Sequence, residues 1–129
     1  MTPPARTALA QRRVLIVDDD PLMQQLLRLV LDDDQFEVRT AVDGIDALRC
    51  AAEFLPSVIV LDVMMPGMDG IEVCRTLRRD ERFSRTKILM LTARASGDVR
   101  DDALAAGADA FFTKPFSPLD LMEAVRGRR

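Results

Sequence analysis

Short apolar runs alternate with capped, amphipathic segments along this sequence, and that alternation is what most constrains the fold. Runs that are apolar except for a first Ser57 or Lys87 lie at residues 57–61 and 87–91, and residues 14–17 are continuously apolar. Runs of this kind are typical of strands buried on both faces, as in a parallel sheet. Residues 37–41 and 110–113 have the composition of two shorter strands. Because helical segments separate the strands, the sequence predicts a parallel sheet with helices on both faces.

Capping residues mark where the helical segments begin. Asp20 and Pro21 are typical of an N-cap and a first helical position, and Leu22, Leu26 and Leu29 then recur at helical spacing. The next two helices are expected to start at Asp43-Gly44 and Asp69-Gly70, the fourth over residues 96–106, and the last at Ser117-Pro118.

Length and composition indicate one domain. A chain of 129 residues suffices for one ordinary core. We expect a disordered leader at residues 1–11, one domain over residues 12–127, and at 128–129 a tail or the start of a linker. The sequence shows neither a signal peptide nor the ~20 apolar residues of a membrane span, so we expect a cytoplasmic protein without a membrane partner.

Charge and cysteine content bear on partners and metals. The net charge of −3 is unfavourable for direct contact with nucleic acid. Cys50 and Cys74 lie far apart, without a CxxC motif, and there is no histidine in the sequence. We therefore expect two reduced, core-like cysteines rather than a zinc site, and no histidine-dependent nucleophile.

Residues able to do chemistry follow the predicted strands at the point where each strand ends. The carboxyl ends of parallel strands meet at one edge of a sheet, which is where functional crevices lie. Clustered carboxylates supply oxygen ligands, which favour binding of a hard cation such as Mg²⁺. A carboxylate can also act as nucleophile in phosphoryl transfer, with a cation and a hydroxyl stabilising the transferred group. The converging residues are Asp18, Asp19, Asp62, Thr92 and Lys114.

Four sequence blocks carry a family resemblance. Residues 17–21, 61–70, 91–93 and 114–116 resemble, in order, the signature segments of response-regulator receiver domains of two-component signal transduction systems. The resemblance runs from about Arg13 to the last helix. It implies a flavodoxin-like, doubly wound (βα)5 fold with strand order 2-1-3-4-5.

The resemblance also implies a role for each of the five converging residues, Asp18, Asp19, Asp62, Thr92 and Lys114, which we call the rim. Asp62 would accept a phosphoryl group from a sensor histidine kinase or phosphotransfer protein. Asp19 would ligate Mg²⁺ directly, Asp18 largely through water, and Met64 through its backbone carbonyl. The remaining implied features are phosphoryl contacts from Thr92 and Lys114, an aromatic switch residue at Phe111, and a cis peptide bond between Lys114 and Pro115.

The implied activity is self-phosphorylation and autodephosphorylation at Asp62 rather than enzymatic turnover. Phosphorylation would move Thr92 and Phe111 and alter the surface of helix four, strand five and helix five, which would control a downstream protein or an output domain. The last helix, over residues 121–126, lacks the basic pattern of dimerising DNA-binding regulators, so a DNA-binding output is not favoured. A stand-alone receiver and a fragment remain open, as does a phosphorylation-dependent homodimer.

Three alternatives remain at this stage. Asp18 and Asp20 have the D-x-D spacing of an aspartyl phosphohydrolase, but the residues that follow lack its hydroxyl pattern. A flavin- or nucleotide-binding module would need a glycine- or hydroxyl-rich loop after the first strand, and this loop is acidic. A receiver-like domain that is never phosphorylated usually loses the acids or the lysine, which are present here.

Overall fold

The alternation of apolar runs and capped helices produces a five-stranded parallel sheet flanked by five helices. The computed structural model describes residues 12–93 and 96–127. The predicted leader at 1–11, the tail at 128–129 and residues 94–95 lie outside the described residues. The elements are β1 (Arg12–Val17), α1 (Pro21–Val30), β2 (Phe36–Ala41), α2 (Gly44–Phe54), β3 (Val58–Asp62), α3 (Gly70–Arg78), a 3-10 turn (Glu81–Phe83), β4 (Lys87–Thr92), α4 (Gly97–Ala105), β5 (Ala110–Thr113) and α5 (Pro118–Arg126).

The strand order is β2-β1-β3-β4-β5, as predicted, and every neighbouring pair is parallel. Val17 is in register with Leu61, and Asp62 with Leu91. The carboxyl ends of β1, β3 and β4 therefore lie at the same edge of the sheet. The order reverses at β1, which places the rim crevice between β1 and β3.

Each central strand contributes alternate side chains to two apolar layers, one on each face of the sheet. On one face, Leu15, Leu61 and Met90 pack with residues of α2, α3 and α4. On the other face, Ile16 and Leu89 pack with residues of α1 and α5. Burial of β3 on both faces explains why its sequence is continuously apolar rather than alternating.

The helix starts agree with the capping pattern. The Asp20 carboxylate accepts a hydrogen bond from Leu22 N at 3.0 Å, with Pro21 in the first turn. The Asp69 carboxylate accepts one from Glu72 N at 2.9 Å. Asp20 is thus the N-cap of α1, as the following proline indicates.

The buried face of α1 is not the one that the leucine spacing indicates. Leu22 and Leu29 are exposed by 75% and 72%, whereas Leu27 and Leu31 are fully buried. Apolar residues occupy most positions of this helix, so two overlapping faces both satisfy helical spacing. Packing against β1 selects between them.

Both cysteines are free thiols, as expected for reduced residues. Cys74 is fully buried in the core on α3, and Cys50 on α2 is half-buried and packs against the same core layer. Among the described residues, no helix has both the length and the apolar character that crossing a membrane would require.

Candidate functional site

The residues that follow β1 form the acidic wall of the rim crevice. Asp18 is buried, with 1% of its surface exposed, and Asp19 beside it faces solvent. One Asp18 carboxylate oxygen accepts a hydrogen bond from Asp20 N at 2.9 Å, which turns the chain into α1. The other oxygen lies 3.2 Å from Lys114 Nζ. Asp18 is therefore fixed by the loop and by the lysine, while Asp19 keeps a free approach to a ligand.

Asp62 is the last residue of β3 and only 5% of its surface is exposed. Its Oδ1 accepts a hydrogen bond from Met64 N at 3.2 Å, and its Oδ2 lies 3.6 Å from Lys114 Nζ. Burial, followed by the negative charge of Asp18, raises the pKa of Asp62 from 3.8 to about 6; Lys114 and the Met64 amide oppose this shift. The carboxylate is thus held in a pocket with more negative than positive charge.

The acidic cluster fits a hard divalent cation. One carboxylate oxygen each from Asp18, Asp19 and Asp62 lies within 4.8 Å of the others. Oxygen ligands at this spacing suit Mg²⁺ better than a thiophilic or nitrogen-preferring metal. Three carboxylates face the single ammonium of Lys114 in this cluster, and the negative charge of Asp18 adds to burial, the larger cause, in raising the pKa of Asp62. Met64 is tied to Asp62 through its backbone N–H, and its side chain is half exposed.

Lys114 reaches the cluster from the end of β5. Its backbone N–H donates to Thr92 O at 2.8 Å, which carries the β4–β5 pairing one residue past the sheet. Its ammonium group is mostly buried and contacts both Asp18 and Asp62. The Lys114–Pro115 peptide bond is cis, as the resemblance implies. A compact cation shared by two carboxylates from different strands is poised to meet a further anionic group.

Thr92 and Phe111 lie on the neighbouring strands β4 and β5. Thr92 is fully buried as the last residue of β4, one position beyond the partner of Asp62. Phe111 is half-buried, is in register with Met90 and packs against the core layer of α2, α3 and α4. The structure therefore brings Asp18, Asp19, Asp62, Thr92 and Lys114 to one edge of the sheet, with Phe111 on the adjacent strand.

Gln24 is a contributor that the sequence did not reveal. Its side-chain amide donates hydrogen bonds to Asp18 O at 2.6 Å and to Ala41 O at 3.2 Å. It thereby joins the acidic loop to the end of β2. A glutamine within an amphipathic helix normally indicates a solvated position, so no local signal distinguishes this one.

Comparisons with known proteins identify the family of this chain. A family model described as the response regulator receiver domain matches residues 14–126. The DNA-binding response regulator MtrA of Mycolicibacterium smegmatis is 42% identical over 118 residues, which are 92% of this chain and 50% of that protein. The response regulator PleD of Caulobacter vibrioides is 43% identical over 114 residues, 88% of this chain and 25% of that protein. This chain spans about half the length of the first curated relatives that it matches.

Solved structures agree as well. The chemotaxis protein CheY4 of Vibrio cholerae superimposes with a TM-score of 0.84 at 37% identity, over 91% of this chain and 98% of that one. The BeF3-activated DrrB receiver domain superimposes with a TM-score of 0.81 at 32% identity, over 90% of this chain and 95% of that one. The family match over residues 14–126, the curated relatives and the shared fold show that this chain belongs to the response regulator receiver domain family of two-component systems.

Proposed function

We propose that Asp62 is the phosphoacceptor of this receiver domain. The observation that carries the proposal is the position of its carboxylate: buried at the end of β3, 3.6 Å from Lys114 Nζ, and within a cluster of three carboxylates. Receiver domains accept phosphoryl groups rather than turn over substrates. The donor would be a phosphohistidine on a sensor histidine kinase or phosphotransfer protein, since these 129 residues contain no histidine.

The proposed step needs no acid or base from the chain. A carboxylate oxygen of Asp62 forms a bond to phosphorus as the phosphorus–nitrogen bond of the donor breaks. The bonding electron pair stays on the imidazole nitrogen, which then takes a proton from water. The ammonium of Lys114 and the hydroxyl of Thr92 stabilise the negative charge of the phosphoryl oxygens. Hydrolysis of the resulting acyl phosphate at Asp62 returns the resting state.

Asp18, Asp19 and Asp62, with the backbone carbonyl of Met64, would hold Mg²⁺. When bound, the cation supplies positive charge that lowers repulsion between the carboxylates and the incoming phosphoryl group. The exposed Asp19 is suited to direct ligation. Asp18, already contacted by Lys114, is suited to ligation through water.

Thr92 and Phe111 would convert phosphorylation into a change of surface. Thr92 ends β4 and Phe111 lies on β5, so an inward move of the hydroxyl toward the phosphoryl group frees space into which the ring turns. The outer surface of α4, β5 and α5 changes as a result. The altered surface would control a downstream protein or an output domain, or support a phosphorylation-dependent homodimer.

We place this receiver in the cytoplasm, where a kinase could reach it. The relative MtrA is a DNA-binding regulator, and this chain matches half of it. Any contact with DNA would be made by an output domain, because the net charge of −3 disfavours direct DNA binding by the receiver itself.

The test is labelling with acetyl phosphate and Mg²⁺, followed by mass spectrometry. We expect one phosphoryl group on the wild type, none on Asp62→Asn, and normal labelling of the control Asp32→Asn, which removes an exposed carboxylate remote from the rim. Chelation with EDTA should abolish labelling. Stoichiometric labelling of Asp62→Asn at another residue would falsify the assignment.

A further inference from the structure

Three of the five helices begin with glycine directly after the N-cap. Gly44 follows Asp43, Gly70 follows Asp69, and Gly97 follows Ser96. None of the three glycines has a positive φ angle, so backbone freedom does not explain them. The remaining reason for glycine is the space that a Cβ atom would need, and the space available differs sharply among the three positions.

Gly70 lies against the main chain of Asp62. A Cβ atom on Gly70 would lie 2.2 Å from Asp62 O, 2.9 Å from Asp62 C and 2.9 Å from Val63 Cα. These neighbours are backbone atoms of a central strand and of the residue after it, so they cannot rotate away as a flexible side chain can. At Gly97, by contrast, a Cβ atom would meet nothing within 4 Å.

Hydrogen bonds connect this close approach to the Asp62 carboxylate. Gly70 N donates to Val63 O at 3.0 Å, which closes the loop between β3 and α3 at its far end. Met64 N donates to Asp62 Oδ1 at 3.2 Å, which fixes the near end. The first turn of α3 therefore lies against the Asp62–Val63 peptide, next to the Asp62 side chain.

Gly44 contacts the loop between β3 and α3 from the side opposite to Gly70. A Cβ atom on Gly44 would lie 2.7 Å from Met68 O and 2.8 Å from Met68 Cβ. The first turn of α2 thus packs on the loop residue that precedes the N-cap of α3. The loop is therefore packed between the first turns of α2 and α3, and the contacting residue of each turn is a glycine.

We propose that Gly70 is a positioning residue for Asp62, with Gly44 acting one contact further away through Met68. Without a side chain, Gly70 lets α3 seat on the Asp62 main chain, and this seating sets the distance from the carboxylate to Lys114. The inference rests on the proposed function, phosphorylation at Asp62. A side chain at position 70 would force the first turn of α3 and the Asp62–Val63 peptide apart by about 1 Å, and misplacement of a reacting group on that scale costs roughly 100-fold in rate.

The test measures the rate of acetyl phosphate labelling at saturating donor, with Mg²⁺, on the folded full chain. We expect Gly70→Ala to lower this saturating rate about 100-fold and Gly44→Ala about tenfold, with little change in the donor concentration for half-maximal rate. Gly97→Ala, the matched helix-start control, should label within about twofold of wild type. Val125→Ala removes buried methyl groups in the last turn of α5 and controls for loss of stability alone.

If Gly70 has only a structural role, the labelling rates of Gly70→Ala and Val125→Ala should be equal once circular dichroism shows that both variants are folded. Equal rates would overturn the proposal. If Gly70→Ala does not fold, the comparison of Gly44→Ala with Val125→Ala decides in the same way. Failure of the proposed function looks different, because wild type and Asp62→Asn would then label alike.

Discussion

Replacing Asp62 with asparagine should stabilise the metal-free protein. The raised pKa of Asp62, about 6 against 3.8, means that the folded state disfavours the ionised carboxylate. A shift of about 2 units corresponds to about 3 kcal/mol between the two protonation states. Asn is neutral and keeps an oxygen that can accept the hydrogen bond from Met64 N. We expect a gain of about 1–3 kcal/mol in the free energy of unfolding at pH 7.5.

The sign of the pH dependence follows from the same shift. The stability associated with proton binding at Asp62 is fully present below pH 3.8 and is lost as the pH rises through about 6. The advantage of Asp62→Asn over wild type should therefore be full above about pH 7 and shrink toward zero near pH 4.

Urea unfolding followed by circular dichroism in EDTA measures the difference. Asp32→Asn, an exposed carboxylate, is the control and should change stability by less than about 0.5 kcal/mol. Adding Mg²⁺ should stabilise wild type more than Asp62→Asn, because the variant lacks one of the three carboxylates. If Asp62→Asn is no more stable than wild type at pH 7.5 in EDTA, the reasoning that burial and the charge of Asp18 disfavour the ionised Asp62 in the folded state is refuted.

Three further predictions concern the remaining contacts. Arg78→Ala removes four hydrogen bonds, to three backbone carbonyls and a carboxylate, and should lower the free energy of unfolding in urea by about 2–4 kcal/mol. The exposed Arg75→Ala should lower it by less than about 0.5 kcal/mol; equal losses would contradict a stabilising role for the Arg78 hydrogen bonds. Leu27→Ala, in the buried face of α1, should cost about 2–5 kcal/mol and Leu29→Ala almost nothing by the same assay; the reverse order would mean that the helix packs on its other face. Lys114→Gln should lower the acetyl phosphate labelling rate at least about 100-fold, and a rate within twofold of wild type would remove the lysine from the proposed mechanism.

Much of the fold could be predicted because its signals are local. Continuous apolar runs indicated the buried strands, and Asp and Ser caps marked the helix starts to within about one residue. Asp18, Asp62 and Thr92 each directly follow an apolar run, so parallel strands alone were enough to bring these three residues to one edge. The family resemblance added the strand order and the roles of individual residues.

Tertiary structure decided what local spacing could not. α1 carries two overlapping apolar faces, and only packing on β1 selects the one with Leu27. The Asp18–Lys114 ion pair joins residues 96 positions apart, so its 3.2 Å distance depends on the whole sheet. Gln24 and Gly70 contact backbone atoms of the preceding strand ends, and such contacts leave no periodic signal in the sequence.

The sequence by itself determined which residues occupy the rim, because residue type and strand position are both local properties. The tertiary structure determined how closely they approach and how strongly they interact. The raised pKa of Asp62 arises from burial and from the charge of Asp18, and neither exists until the sheet has assembled.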